Sequence, residues 1–276
     1  MLRAHGQPRF RSSVEDRSPL PKLYFLYHEL SETPSRSPYS LTTKQFHAHA
    51  SVFAEMRTDR NQCFWPEVTF DDGHSSNLKL AFPILREYGL EAMFFITVGW
   101  IDRRAGCLGW DDLKILRDGG HQIGSHGWSH AFLTDCRDDQ LRREILDSRL
   151  MLEDKLGVEI RTMACPGGRF NSRVISACKD AGYLRVYTSV PEPERLSSCF
   201  LVGRVNAHPM MRAEDVRELI APDGKALRNL KRRYRVKAAL KSVLTDRVYD
   251  ALWWKLAGNR EVEATDLVAD EDSPRN

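Results

Sequence analysis

The sequence predicts an α/β fold built on a parallel sheet. Three features carry that expectation: strand and helix patterns alternate along the chain, glycines fall at the breaks between them, and 276 residues with 42% hydrophobic content suit one large core. Leu23 to Tyr27 is an apolar, aromatic run suited to a buried strand, and the segment 43–56 spaces Phe46, Ala50 and Phe53 like a helix. Strands are then expected at 67–70, 92–97, 122–124, 161–164 and 184–188. Between them the spacing predicts helices over 78–88, 111–117, 140–156 and 172–181, with Gly73, Gly89, Gly99 and Gly119-Gly120 at the joints. Periodicity alone leaves a closed barrel and an open doubly wound sheet both standing.

The ends differ in composition from this body. Residues 1–21 are polar, with Ser, Arg and Pro in excess, and 259–276 are acidic without apolar periodicity, so both are expected to be weakly ordered. A single catalytic domain is assigned to 22–222 and a basic amphipathic helical extension to 223–258. In the extension Lys225, Arg228, Lys231, Arg232, Arg233, Arg235, Lys237 and Lys241 interleave with Leu227, Leu230, Tyr234 and Leu240. Its expected role is packing on the domain by its apolar side; a peripheral contact of 225–241 with an anionic membrane is the functional alternative.

A formal charge of +3 gives no reason to expect a nucleic-acid partner. Met1 to Asp16 has no apolar signal-like core, and no stretch approaches the ~20 apolar residues of a membrane span, so a cytoplasmic protein is expected, with the inner membrane face as the surface its basic helix would touch. The six cysteines lack a C-x-x-C spacing and are expected to be reduced.

Two segments carry chemistry. The strand ending at Phe70 runs into Asp71-Asp72-Gly73, placing adjacent carboxylates at the C-terminal end of a parallel strand, where α/β active sites gather. Alternation along a strand lets one carboxylate face a metal while the other reaches a water beside it. The second segment, His126-Gly127-Trp128-Ser129-His130, also follows an expected strand, and its imidazoles converge on one ion if the backbone makes a helical turn. One aspartate and two histidines leave positions open for water and substrate, the arrangement of a hydrolytic metal site. The chain has no His-Glu-x-x-His, so Asp71 is the nearest carboxylate available as a base.

These residues resemble the polysaccharide deacetylase family, carbohydrate esterase family 4, with its chitooligosaccharide and peptidoglycan deacetylases. The likeness runs from about Leu23 to Val190 through Thr69-Phe70-Asp71-Asp72-Gly73, His126-Gly127-Trp128-Ser129-His130 and Cys165-Pro166-Gly167-Gly168. The resemblance implies a distorted (β/α)7 barrel, Asp71 as base, Asp72, His126 and His130 as metal ligands, and Pro166, Gly167, Gly168 and Arg169 lining the groove for an N-acetylated saccharide. Trp128 is a further candidate to stack on a sugar ring. The implied reaction is hydrolysis of an acetamide to acetate and free amine, Asp71 taking the proton. Zinc is the expected ion, with cobalt, nickel and iron as alternatives.

The chain departs from the family pattern at three places. Gly127 replaces the usual Ser or Thr, for which a looser loop is expected. Ala164 stands where an arginine usually orients the catalytic aspartate, with Arg169 as the proposed substitute. No clean Leu-x-x-His occurs late in the chain, which leaves His208 as the candidate acid and His28 as a second histidine to reach the pocket. Two other functions stay open: an amidohydrolase acting on a non-sugar amide, and a weakly catalytic saccharide-binding assembly protein.

Overall fold

The computed structural model describes residues 20–58, 64–194 and 199–243, with side chains described as far as 237. The two weakly ordered ends therefore lie outside the described residues, apart from Leu20 and Pro21. So do Cys63 and the extension beyond 243. The described cysteines Cys107, Cys136, Cys165, Cys178 and Cys199 are all free thiols.

The strands are β1 (Lys22–Tyr27), β2 (Glu29–Ser31), β3 (Ser40–Thr42), β4 (Trp65–Phe70), β5 (Ala92–Ile96), β6 (Gln122–Ser125), β7 (Thr162–Ala164), β8 (Arg185–Tyr187), β9 (Leu201–Val202) and β10 (Arg204–Asn206). The helices are α1 (Thr43–Thr58), α2 (Phe82–Glu87), α3 (Trp110–Asp118), α4 (Asp138–Arg142), α5 (Ser148–Leu156), α6 (Ser172–Asp180), α7 (Ala213–Ile220) and α8 (Lys225–Val243). A wide turn at Asn77–Ala81 leads into α2, and another at Arg143–Asp147 joins α4 to α5. Every strand and helix expected from periodicity is present, with ends shifted by at most two residues.

Eight strands form one sheet in the order β10-β1-β4-β5-β6-β7-β8-β9, all in parallel, while β2 and β3 pair separately. The two edge strands are consecutive in the chain and separated by Gly203 alone. β9 pairs with β8 through Val186↔Leu201 and Tyr187↔Val202, and β10 pairs with β1 through Tyr24↔Arg204 to Leu26↔Asn206. One strand, broken at Gly203, thus spans the gap between the sheet's two sides. The sheet is a nearly closed barrel of seven strands, counting β9 and β10 as halves of one, with helices around it.

Side-chain alternation divides the interior in two. Leu23, Phe25 and Tyr27 of β1 face outward and join Phe46, Phe53, Phe70 and Phe94 in the large core beneath the helices. The intervening Tyr24 faces inward with Met93, Phe95, Ala164, Tyr187 and Val202, a small cluster filling the barrel's axis. Helix α8 rests on the rest of the domain through buried Leu227, with Arg228, Arg232, Arg233 and Arg235 exposed. None of the described helices is long and apolar enough to cross a membrane.

Gly203 is required by close approach. A Cβ there would lie 2.4 Å from the Val190 carbonyl oxygen and 2.7 Å from that of Glu192, both backbone atoms with little room to move. Gly203→Ala should therefore cost about 1–3 kcal/mol, read as a lower denaturant midpoint with unchanged slope. A midpoint equal to wild type would mean that closure does not depend on this residue.

Candidate active site

The site lies at the C-terminal ends of β1, β4 and β6, and Arg204, the first residue of β10, reaches it from inside the barrel. Thr69 and Asp71 share the inward side of the β4 segment while Phe70 packs outward, so Asp71 points into the barrel. Its backbone N–H continues the strand ladder by donating to the Tyr27 carbonyl at 2.9 Å. Asp72 then takes φ 73°, a left-handed conformation that turns the next carboxylate out of register and toward His126 and His130. The adjacent acids are separated in this way by backbone geometry as well as by strand alternation.

Asp72, His126 and His130 offer ligand atoms that lie within 4.8 Å of one another. Asp72 Oδ1 is 3.4 Å from His126 Nε2 and 3.3 Å from His130 Nε2, is buried, and has no hydrogen-bond partner. Leaving such an acceptor unsatisfied costs free energy unless something else fills its lone pair. His126 Nδ1 is 2.9 Å from the Ala164 carbonyl; because a carbonyl only accepts, Nδ1 carries the proton and Nε2 presents its lone pair to the Asp72 side. An oxygen and two imidazole nitrogens so arranged fit a divalent ion of the zinc, cobalt, nickel or iron type.

The histidine loop is not the helical turn that the four-residue spacing suggested. It is an irregular bend, and left-handed residues at Gly127 (φ 83°) and His130 (φ 67°) bring the rings to a centroid distance of 5.1 Å. Nor is it loose. Buried Glu144 accepts from Trp128 N at 2.7 Å, Ser129 N at 2.9 Å and Ser129 Oγ at 2.6 Å. A Cβ on Gly127 would come within 2.8 Å of Glu144 Oε2, so the glycine makes room for the carboxylate that ties the loop.

The arginine missing at Ala164 is supplied from elsewhere. Arg204, fully buried on β10, donates to both oxygens of Asp71, Nη1 to Oδ1 at 2.6 Å and Nη2 to Oδ2 at 2.8 Å. Its Nε donates to the Thr188 carbonyl at 3.2 Å, and its guanidinium carbon stands 5.3 Å from the Phe95 ring centroid. Arg169, the substitute expected from the sequence, instead covers Phe132 at 4.1 Å. Arg204 escaped the sequence reading because it lies in a strand too short to show a period.

Burial acts to raise the Asp71 pKa, but the Arg204 charge, His126, the Arg204 hydrogen bonds and His28 outweigh it and hold the carboxyl below its ordinary value. Burial opposes ionisation of Asp72 too, and His130 with His28 and His126 overcomes it, so both acids are carboxylates at neutral pH. His126 is pushed down to about 4, chiefly by burial, and its ring is neutral.

His28 follows β1, and its charge reaches both Asp71 and Asp72. Its Nδ1 is buried without a hydrogen-bond partner, and its ring packs 4.8 Å from Tyr39. His208 keeps different company, interacting electrostatically with His49 and with Asp215 of α7. Pro166 is buried, while Gly167 (φ 60°) packs on Phe132 and Gly168 (φ 67°) on Ser189. The half-buried Trp128 ring lies against Gly99 and under Arg143 at 4.8 Å. Trp100, which the sequence reading passed over, is the indole beside the triad, 5.2 Å from the His130 ring.

Residues 66–186 match the family model described as polysaccharide deacetylase. A putative polysaccharide deacetylase of Bacillus subtilis, YxkH, is 28% identical over 145 residues, covering 52% of each chain. A peptidoglycan-N-acetylglucosamine deacetylase of Bacillus cereus is 33% identical over 123 residues, 44% of this chain and 55% of the relative. The chain thus spans about half the length of these curated relatives. Among solved structures, the Streptococcus pyogenes deacetylase PplD, in complex with acetate, superposes with TM-score 0.66 at 18% identity, over 74% of this chain and 100% of the other. A putative polysaccharide deacetylase from Bacillus anthracis gives 0.63 at 22%, over 72% and 69%. These likenesses show the barrel fold.

Glu144→Ala would strip the histidine loop of its three hydrogen bonds. Affinity for zinc, measured by calorimetry, is expected to fall by roughly 10–100-fold, with Glu144→Gln intermediate. Unchanged affinity in both variants would mean that the loop holds its shape without Glu144.

Proposed function

We propose that this chain, which belongs to the polysaccharide deacetylase family, is a hydrolase that removes the acetyl group from an N-acetylated sugar in a polysaccharide or glycan precursor. The observation that carries this reading is a buried, ionised Asp71 clamped by Arg204 beside the Asp72, His126 and His130 ligand set.

Asp72, His126 and His130 would hold the ion, for which zinc is the proposal. When bound, it supplies Lewis-acid polarisation of the acetamide carbonyl oxygen. Asp71 is the proposed general base, since its carboxylate has no proton of its own at neutral pH and can accept one from the attacking water. Arg204 occupies both Asp71 oxygens and fixes the direction in which the carboxylate presents its remaining lone pairs. His28 is the proposed acid for the departing amine, because it follows β1 at the same end of the barrel as Asp71 and its buried Nδ1 has no hydrogen-bond partner. The mouth of the groove is assigned to the Pro166 to Gly168 turn and the Trp100 loop, with the buried Pro166 fixing the turn.

The test is acetate release from N-acetylated mono- and oligosaccharides after chelation and restoration of defined metals. Release that returns with metal and falls roughly 10²–10⁴-fold in Asp71→Asn is the expected result. Bound metal with release only from small non-sugar amides would move the assignment to another amidohydrolase, and no release from any substrate would favour a saccharide-binding role.

Arg204 also sets the pH dependence. Without the guanidinium, burial acts on Asp71 less opposed and raises its pKa, so more of it is protonated at a given acid pH. The acidic limb of the kcat/KM profile in Arg204→Met should move to higher pH. Arg204→Lys keeps the charge but loses the two-point clamp, so it should lower kcat with a smaller displacement of the limb. Profiles that superpose on wild type in both variants would remove Arg204 from control of the base.

A further inference from the structure

In the sheet β5 lies between β4 and β6, the strands that lead to Asp72 and to His126, and Thr97 is the residue that follows it. On the β4 side the Thr97 backbone N–H donates to the Asp72 carbonyl at 3.4 Å. On the β6 side Ile96 is paired with Ser125, and the Ile96 carbonyl accepts from His126 N at 2.8 Å, which sets Thr97 beside His126. Thr97 is still extended, at φ −81° and ψ 103°, so the alternation of β5 carries through it. Phe95 belongs to the axial cluster and Ile96 to the outer core, which turns the Thr97 side chain inward, to the face that Asp71 and His126 share.

Among the described residues nothing answers this hydroxyl. Thr97 is fully buried, its N–H and carbonyl are engaged by Asp72 and Trp100, and its Oγ1 has no hydrogen-bond partner. Thr69, on the inward side of β4, is just as buried, yet its hydroxyl donates to the Phe25 carbonyl at 3.1 Å and accepts from Arg204 at 3.3 Å. A hydroxyl sealed from water and left unpaired costs free energy that a valine of the same shape avoids. The residue to which Thr97 is tied has the complementary defect: Asp72 Oδ1 is an acceptor, also buried and also without a partner. An unsatisfied donor and an unsatisfied acceptor on hydrogen-bonded neighbours, at the wall of a three-ligand set, are suited to pair when that set is loaded.

We propose that Thr97 is a positioning residue of the ligand set, whose hydroxyl donates to the Asp72 carboxylate and holds it on a bound divalent ion. This rests on the reading of Asp72, His126 and His130 as ligands and is independent of the substrate.

The experiment measures zinc affinity by calorimetry, and the denaturant midpoint of the metal-free protein, in wild type, Thr97→Val and Thr97→Ser. Two opposite displacements are expected in Thr97→Val. Zinc affinity falls by roughly 10–100-fold, the usual effect of losing a group that orients a ligand. The metal-free midpoint stays at or rises above that of wild type, because the unpaired hydroxyl is gone. Thr97→Ser keeps the hydroxyl and should retain most of the affinity. A threonine that only packs gives the reverse pattern, a lower midpoint with unchanged affinity. Equal affinity in Thr97→Val and wild type overturns the proposal, and so does equal loss in the valine and serine variants, which assigns the effect to shape. If Thr97→Val does not fold, Thr97→Ala against Thr97→Ser carries the same comparison. Affinity is read without turnover, so the expected pattern without acetate release from any substrate removes the deacetylase reading alone. Wild type that binds none of zinc, cobalt, nickel and iron refutes the ligand set, and the role of Thr97 with it.

Discussion

At the axis of the barrel a guanidinium with no exposed surface faces a carboxylate that is almost as deeply enclosed, and both are charged. Removing such ions from water costs several kcal/mol each, and the cost is offset only if the remaining donors and lone pairs find partners. Arg204 meets the condition through both Asp71 oxygens and the Thr188 carbonyl, with Phe95 and Tyr187 beneath it. The pair joins β10 to the end of β4 across the strand between them, so barrel closure and placement of the base are one structural event. It also fixes the ionisation of Asp71, which burial would otherwise oppose.

Around that pair the ligand set is made by backbone devices more than by side-chain packing. Asp72 and His130 both hold left-handed conformations that non-glycine residues adopt at a cost of order 1–3 kcal/mol. The strain is sustained because the flanking backbone is tied. Thr97 and Leu108 donate to the carbonyls of Asp72 and Gly73, Glu144 collects the donors of the histidine loop, and the Ala164 carbonyl sets the His126 ring. The position where an arginine was expected thus still serves the site, through its main chain.

Much of this was legible in the sequence. Six strands and the helices between them followed from apolar period, because each is long enough to show alternation or a helical face. The gathering of Asp72, His126 and His130 beside Asp71 followed from Asp71-Asp72 and the His126/His130 spacing, although the backbone that joins the histidines did not. β9 and β10 were missed because Leu-Val-Gly-Arg-Val-Asn puts a glycine and a charge at the centre of a six-residue run, and α7 because it is only eight residues long and half of them are charged. Arg204 and Glu144 are buried charges, and a lone charged residue reads as solvated by default. The matched family segment, 66–186, stops short of Arg204 and begins after His28, so neither was signalled by that likeness.

Gly203 and the strand it divides have a consequence for how the molecule comes into being. Asp71 and Arg204 are 133 positions apart, and they meet only when the final strand of the sheet settles against the first. During synthesis the ligand set can be translated and its β-α units docked while Asp71 still lacks its counter-charge. The ion pair is a contact of very long sequence separation, whose loop-closure entropy is met by the strands already in place. The Asp71 carboxylate acquires its counter-charge only as the barrel closes.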